Sequence, residues 1–289
     1  MTNELAWRCP SCSGELNACD RGMVCRSCGL VAERTRDVLE FMPHFKPPGF
    51  PAERLSHLAD LEERHFWFPA RRQLLSRMLR SLPAASPRRA IELGCGLGAH
   101  LSLLGNAATT VVGVDAYRAA LEAACRRSPN AILVQSDIGR VPLADGQFEI
   151  LLAADVLEHV ESGRFLAEVS RLAAPDARLL LTVPAMPGLW SRADEVAGHR
   201  RRFRLRDLRA ELAAGGWRIE RWTHYQFLLL PLLMVSRRSR IGTLYRLERR
   251  PPSWLNALLG AVCRFEVRAL GGISLPWGSS LAAVARRAA

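Results

Sequence analysis

Four cysteines and a series of acidic residues carry the chemistry legible in this chain. Cys9, Cys12, Cys25 and Cys28 form two CxxC pairs separated by twelve residues. Four thiolates at that spacing suit a closed tetrahedral Zn2+ site, and the metal would fold a unit too small to build its own core. Pro10 and Gly29 fit tight turns at the two pairs, whereas a redox role for a CxxC is disfavoured by the pairing. Glu92 opens a second constellation, because it ends an apolar run just ahead of Gly94, Gly96 and Gly98 in IELGCGLG. Glycines in such a turn let the backbone approach a ligand and adopt positive φ. Asp115 closes the next apolar run, where a carboxylate can accept from both hydroxyls of a ribose, and Asp137 closes the third, placed to accept from an adenine amino group. Any one of these acids could be a helix N-cap. Three at consecutive strand ends fit a nucleoside site better.

The acids continue in DVLEHV, Asp155 to Val160. Asp155, Glu158 and His159 could gather a divalent cation such as Mg2+, which favours oxygen ligands. The preferred reading is a positioning carboxylate and a packed histidine. His159 is the first candidate for a general base, since imidazole titrates near neutral pH, and His199 is the second.

These residues need a frame. From Arg89 short apolar runs alternate with helical stretches, the signature of an α/β doubly wound parallel sheet. The predicted strands are RAIELG, TVVGVDA, AILVQSD, FEILLAAD and ARLLLTVPA, followed by WRIERWTHY and SSLAAVARR. Helices are predicted near Ala99 to Leu104, Tyr117 to Arg126, Glu161 to Leu172 and over RLRDLRAELAAGG. Ahead of the sheet lie a cysteine-bearing unit over 1–42, a stiff proline-rich linker over 43–54, and helices over 55–82 broken at Pro69. The core starts at 88, and 226–275 forms an insertion before the last strand.

This constellation resembles class I S-adenosylmethionine-dependent methyltransferases, whose Rossmann-like sheet has seven strands and whose first motif reads E/D-x-G-x-G-x-G. The resemblance covers residues from about Leu55 onward. It implies that Glu92 and Gly94, Cys95, Gly96 and Gly98 hold the methionine moiety of S-adenosylmethionine. Asp115 with Ala116 would take the ribose, Ser136, Asp137 and Ile138 the adenine, and Asp155 would border the cofactor. The glycine spacing departs from a dinucleotide fingerprint, which lowers an NAD reading. DVLEHV resembles a segment of small-molecule and lipid O- or C-methyltransferases; a similar E-x-x-E-H binds metal in ubiquinone-pathway enzymes. HFWFPARR, from His65, resembles a pre-core element that closes over the cofactor, with Arg71 pairing the methionine carboxylate and Trp67 excluding water. In similar enzymes D-x-x-x-G-H-x-R-R-F loops cap the substrate pocket, which nominates Trp190, Asp194, His199 and Arg201. The cysteine unit resembles the short zinc ribbons found alone or ahead of methyltransferase domains.

The implied activity is methyl transfer to a small-molecule or lipid-linked acceptor, chiefly to oxygen. An rRNA or tRNA methyltransferase is the alternative, because bacterial rRNA guanine methyltransferases also join a zinc ribbon to this fold. A non-catalytic partner protein that binds the cofactor is the third. Charge bears on the choice. The chain carries a formal +12, yet its first forty residues hold five Arg against six acids, so the ribbon lacks a nucleic-acid footprint. The excess lies in HRRRFRLRDLR, SRRSR and RLERR. The N-terminal TNELAWRC lacks the apolar core of a signal peptide, which points to a reducing, cytoplasmic setting. The apolar run YQFLLLPLLMV is too short to span a bilayer, and with its arginines it leaves open a peripheral contact with the inner membrane face through 225–250. A buried lid or a dimer contact fits the same run. The near-neutral ribbon is expected to be structural and to dock on the catalytic domain or a partner, so chelation should unfold the residues before Met42 and leave cofactor binding largely intact.

Overall fold

The computed structural model describes residues 5–45, 59–83, 88–238, 251–270 and 272–288. The linker beyond residue 45, Lys46 and the RLERR cluster lie outside the described residues.

Seven strands form the expected α/β core. They are β5 (Arg89–Leu93), β6 (Thr110–Asp115), β7 (Ile132–Gln135), β8 (Phe148–Ala154), β9 (Ala173–Pro184), β10 (Trp217–Tyr225) and β11 (Ser280–Arg287). Their order, β7-β6-β5-β8-β9-β11-β10, is parallel through β9, and β11 enters antiparallel between β9 and β10. The fold is Rossmann-like, with the chain order reversing between β5 and β8. That switch point puts the ends of β5, β6 and β8 around one crevice, where ligands of open α/β sheets bind. Central strands buried on both faces explain the continuous apolar runs, with Ile91, Val112, Val114, Leu151 and Leu179 fully buried.

The helical stretch ahead of the sheet is interrupted at His65 and Phe66, after helical residues 59–64, and resumes as α1 (Trp67–Arg80). Pro69 occupies the first turn, where its missing N–H has no helical partner to lose. Short α2 (Leu101–Gly105) follows the glycine loop, and α3 (Arg118–Arg127) and α4 (Ser162–Leu172) supply crossovers. After β9 come α5 (Arg192–Ala197) and α6 (Leu205–Ala214), and the insertion contributes α7 (Leu230–Arg238) and α8 (Ser253–Leu270).

The N-terminal unit forms β1 (Leu16–Cys19), β2 (Gly22–Cys25), β3 (Val31–Thr35) and β4 (Val38–Glu40), a meander whose last hairpin turns on Arg36 and Asp37, both at positive φ. It does not stand apart. β4 pairs parallel with β7, Val38 opposite Leu133 through Glu40 opposite Gln135, and extends the sheet to eleven strands. The attachment is reinforced where Gln147 brackets the Ala6 backbone and where Asp145 accepts from Arg8 at 2.7 Å and Arg171 at 2.6 Å.

Candidate functional site

In the ribbon, the four sulfurs of Cys9, Cys12, Cys25 and Cys28 lie within 4.8 Å of one another. Two turns fold back to bring them together: Ser13 N–H donates to Cys9 C=O at 2.9 Å, and Gly29 N–H, at φ +76°, donates to Cys25 C=O at 2.9 Å. Sulfurs bound at about 2.3 Å in a tetrahedron stand about 3.8 Å apart. The closest pairs here, at 3.4 Å and 3.6 Å, need only a slight expansion to accept the ion. The residues therefore fit Zn2+.

The glycine loop lies at the carboxyl end of β5. Gly94, Gly96 and Gly98 all have positive φ, and a Cβ on Gly94 would stand 2.7 Å from a Val156 methyl. Gly98 is equally confined, 2.9 Å from the Ala124 Cβ, whereas a Cβ on Gly96 would meet open space. The outer two glycines are thus required by packing against the fold, and the middle one opens onto free space. Cys95 is buried beneath the loop beside Gly113, as a packing residue.

Asp115 shapes this loop as well as bordering it. Its carboxylate accepts from Gly96 N–H and Tyr117 N–H, each at 2.8 Å. Burial pushes its pKa up, and those amides partly offset the effect. Glu92 is buried, with one carboxylate oxygen 2.8 Å from His100 Nδ1 and the other without a partner. An orphaned buried oxygen beside an open glycine loop is what a polar ligand with donor groups would satisfy. Ala116 C=O accepts from Gln135, and Ser136 N–H donates to Asp115 C=O, so the ends of β6 and β7 are tied together. Asp137 is more occupied than the sequence suggests: one oxygen accepts from Gly139 N–H and the other pairs with Arg164 at 2.6 Å. Ile138 beside it is half-buried.

Arg71 and Asp155 join two elements that the sequence reading treated separately. The buried Arg71 guanidinium pairs with Asp155, whose other oxygen accepts from Thr182 Oγ1 at 2.8 Å. Burial raises the Asp155 pKa, but Arg71 and Thr182 outweigh it and hold the group below the usual carboxylate range. Asp155 has φ +56°; Met186 and Gln226, just past the ends of β9 and β10, have φ +58° and +61°. Three non-glycine residues in this costly region rim the same edge of the sheet, as strain at functional sites often does.

A cavity of about 100 Å³ is lined by Trp67, Asp155, Glu158, Asp194, His199 and Arg237, among others. His199 enters it; His159, the first choice from sequence, is exposed, its Nδ1 3.2 Å from Gly198 C=O. Although the side chain reaches solvent, the surrounding protein strips enough water from the ring that desolvation, and then the neighbouring His199, lower the His159 pKa. His199 Nδ1 lies 3.0 Å from Asp194 Oδ1, and Nε2 lies 3.9 Å from Glu158 Oε1. Asp194 does not face solvent to meet an acceptor. It is buried and also accepts from Ser191 N–H, Arg202 Nε at 2.8 Å and Arg237 Nη1 at 3.3 Å. Burial opposes its ionisation, yet His199, Arg202 and Arg237 hold its pKa down to about 2. Glu158 is its opposite: fully buried, without a hydrogen-bond partner, its pKa pushed well up by burial and then by Asp155. The sequence reading missed Arg202 and Arg237, and chose Arg201, which instead pairs with Glu211 at 2.5 Å and stacks over Phe203. Trp190 stands partly exposed.

The magnesium expectation does not fit this geometry. Asp155 is engaged by Arg71 and Thr182, and the converging ligand atoms belong to Glu158, His159 and His199. Two imidazoles and one carboxylate suit a transition metal better than Mg2+.

Residues 91–181 match the family model described as "Methyltransferase domain". A probable S-adenosylmethionine-dependent methyltransferase of Mycobacterium tuberculosis is 26% identical over 128 residues, 44% of this chain and 46% of that protein. A candidate 23S rRNA (guanine-N1) methyltransferase of Micromonospora griseorubida is 32% identical over 117 residues, 39% of this chain and 38% of that one. The chain spans between 35% and 53% of the length of the curated relatives it matches. Among solved structures, the complex of the Haloferax volcanii Trm112 methyltransferase activator with a candidate methyltransferase matches at a TM-score of 0.56 and 15% identity, covering 82% of this chain and 95% of the other. The architecture of this chain is accordingly the Rossmann-like methyltransferase fold, preceded by a four-cysteine unit that fits a small zinc ribbon.

Proposed function

We propose that this chain is an S-adenosylmethionine-dependent methyltransferase that modifies a hydroxyl of a small-molecule or lipid-linked acceptor. The observation that carries the acceptor half of this reading is the cavity holding His199, oriented by the buried Asp194, beside Asp155. Glu92, the Gly94–Gly98 loop and Asp115 would hold the cofactor, with Ser136, Asp137 and Ile138 at its adenine end. When bound, the cofactor supplies an electrophilic methyl group on a sulfonium.

The protein then has three tasks: alignment, exclusion of water and removal of a proton. Asp194 accepts from His199 Nδ1–H, which leaves Nε2 as the basic nitrogen inside the cavity. His199 Nε2 takes the acceptor proton, and Asp194 stabilises the imidazolium. His159, on the exposed side, becomes the second candidate. Arg71 and Asp155 neutralise each other, so Arg71 serves to fix Asp155 and α1 beside the cofactor, with Trp67 closing the cavity wall.

The test has two arms. Calorimetry should show binding of S-adenosylmethionine; its absence would sink the reading. Radiolabelled methyl transfer into host extract should place label in the small-molecule or lipid fraction, and His199→Asn should lose most of that transfer while keeping cofactor affinity. Label chiefly in RNA would replace this reading with the rRNA alternative, for which the Micromonospora relative is the supporting observation.

A further inference from the structure

Helices α7 and α8 share an inner core and carry a second apolar surface on the outside. Leu229 and Leu233 pack with Leu259 and Cys263 against Phe66 and Ala70 near the start of α1. That contact accounts for one face of each helix. On the other face stand Leu232 and Val235 along α7, with Leu228 in the turn that leads into it, and Trp254, Leu258 and Phe265 along α8. On the helices, spacings of three, four and seven residues put each set on one helical stripe, and their exposure runs from 40% to 70%. Scattered exposed apolar residues are ordinary; two aligned stripes on neighbouring helices mark a surface awaiting a partner.

Charge identifies the partner. Residues 226–278 hold eight arginines and two glutamates, half of the chain's excess positive charge. Of the two acids, Glu266 is buried and spent on the backbone, accepting from Gln226 N–H and Leu228 N–H. Of the eight arginines, five have side chains outside the described residues and Arg237 turns inward to Asp194, while Arg264 and Arg268 lie exposed on α8. A second copy would bring the same positive charge against this one, which disfavours a symmetric dimer through this face. A protein partner would be expected to meet a polar, hydrogen-bonding rim. This face instead combines aliphatic and aromatic side chains with arginines, the pattern of helices that lie in a lipid interface. Among the described residues no helix is long and apolar enough to cross a bilayer, so contact would be peripheral.

We propose that the outer faces of α7 and α8 dock this protein on an anionic phospholipid surface. The inner side of α7 reaches the acceptor cavity, where Arg237 donates to Leu189 C=O at 3.0 Å and to Asp194. One helix therefore joins the docking face to the cavity wall. The proposal does not rest on methyl transfer and stands or fails separately from it.

The experiment is co-sedimentation of the full chain with vesicles of phosphatidylglycerol in phosphatidylcholine, against pure phosphatidylcholine. The anionic vesicles should bind at least about tenfold more strongly, and the preference should shrink with added salt. Trp254→Ser with Leu258→Ser and Phe265→Ser should reduce binding about tenfold or more, with circular dichroism unchanged because the side chains are exposed. Arg264→Gln with Arg268→Gln should cost about fivefold per arginine on anionic vesicles and little on neutral ones. Equal binding by parent and triple variant would overturn the proposal. So would no vesicle binding, a light-scattering dimer that the triple variant dissolves, or binding to polyglutamate as tight as to the vesicles.

Discussion

Removing the Zn2+ that the four cysteines fit should damage more than the N-terminal unit. Val38 and Leu39 are fully buried against the parallel sheet and Trp7 is nearly so, stacked on Phe41 at 6.4 Å. Burial of side chains of this size contributes about 1.5–3 kcal/mol each, so detaching β4 and its surroundings forfeits on the order of 5 kcal/mol, taken as an upper figure. At roughly 2–4 °C per kcal/mol for a domain of this size, the main melting transition should fall by on the order of 10 °C. The effect should reach the cofactor as well. Phe41 N–H donates to Gln135 C=O at 3.0 Å, and Phe45 meets Tyr117 edge to face at 6.1 Å, one residue from Ala116. Loss of these supports should weaken cofactor binding about tenfold, equivalent to about 1.4 kcal/mol. The assay is differential scanning calorimetry and cofactor titration of the full chain, before and after chelation, with Cys25→Ser as a second route. An unchanged main transition with unchanged affinity would refute the reasoning. It would restore the expectation, drawn from the ribbon's neutral charge, of a unit structurally independent of the cofactor site.

Three further outcomes follow from the site. Gly94→Ala meets both a positive φ and a methyl at 2.7 Å, so it should cost about 1–3 kcal/mol, whereas Gly96→Ala, at φ +50° with open space, should cost about 1 kcal/mol; urea denaturation separates them. Glu158 has a raised folded-state pKa, so native protein holds that proton more tightly than unfolded chain, and stability should decline as pH rises above the ordinary value of 4.5. Glu158→Gln should remove that decline, seen as a flatter melting temperature as pH is raised from 4.5. Asp194 is the reverse case: its value falls from 3.8 to about 2 on folding, so its contribution is full above about pH 4 and lost toward about 2. Acid denaturation of Asp194→Asn should show a shallower limb over that window.

The parallel sheet was legible because its physics is local. Strands buried on both faces must be continuous apolar runs, and each of the seven predicted runs became a strand. The strand-end positions of Glu92, Asp115 and Asp137 were legible for a related reason, since strand ends at a switch point are fixed by the same pattern. Pro69 shows the limit of such punctuation: the break it signals falls three to four residues earlier, at His65 and Phe66, and the proline itself sits in the first turn of the helix that resumes. The pairing of β4 with β7 was invisible, because a three-residue strand carries no periodicity and its partner lies more than ninety residues away.

The cavity beside His199 resisted reading because it is assembled from segments with no sequence relation to one another. Asp194 comes from α5, Arg202 from the loop after it, and Arg237 from the insertion, yet they converge on one buried carboxylate. Spacing could nominate a D-x-x-x-G-H loop, but it could not decide which arginine of HRRRF turns inward. The adjacent side chains of Arg201 and Arg202 are 39% and 3% exposed, and Arg202 is held by Ala185 C=O, a contact that exists only once the loop packs on the end of β9. The same dependence reorders the two histidines. His159 carries the more suggestive motif, but the carboxylate that would orient a base lies beside His199. Which imidazole is placed for the proposed role of base is therefore a property of loop packing, and a survey of the acidic limb in Asp194→Asn together with transfer by His199→Asn addresses the two halves of that packing in turn.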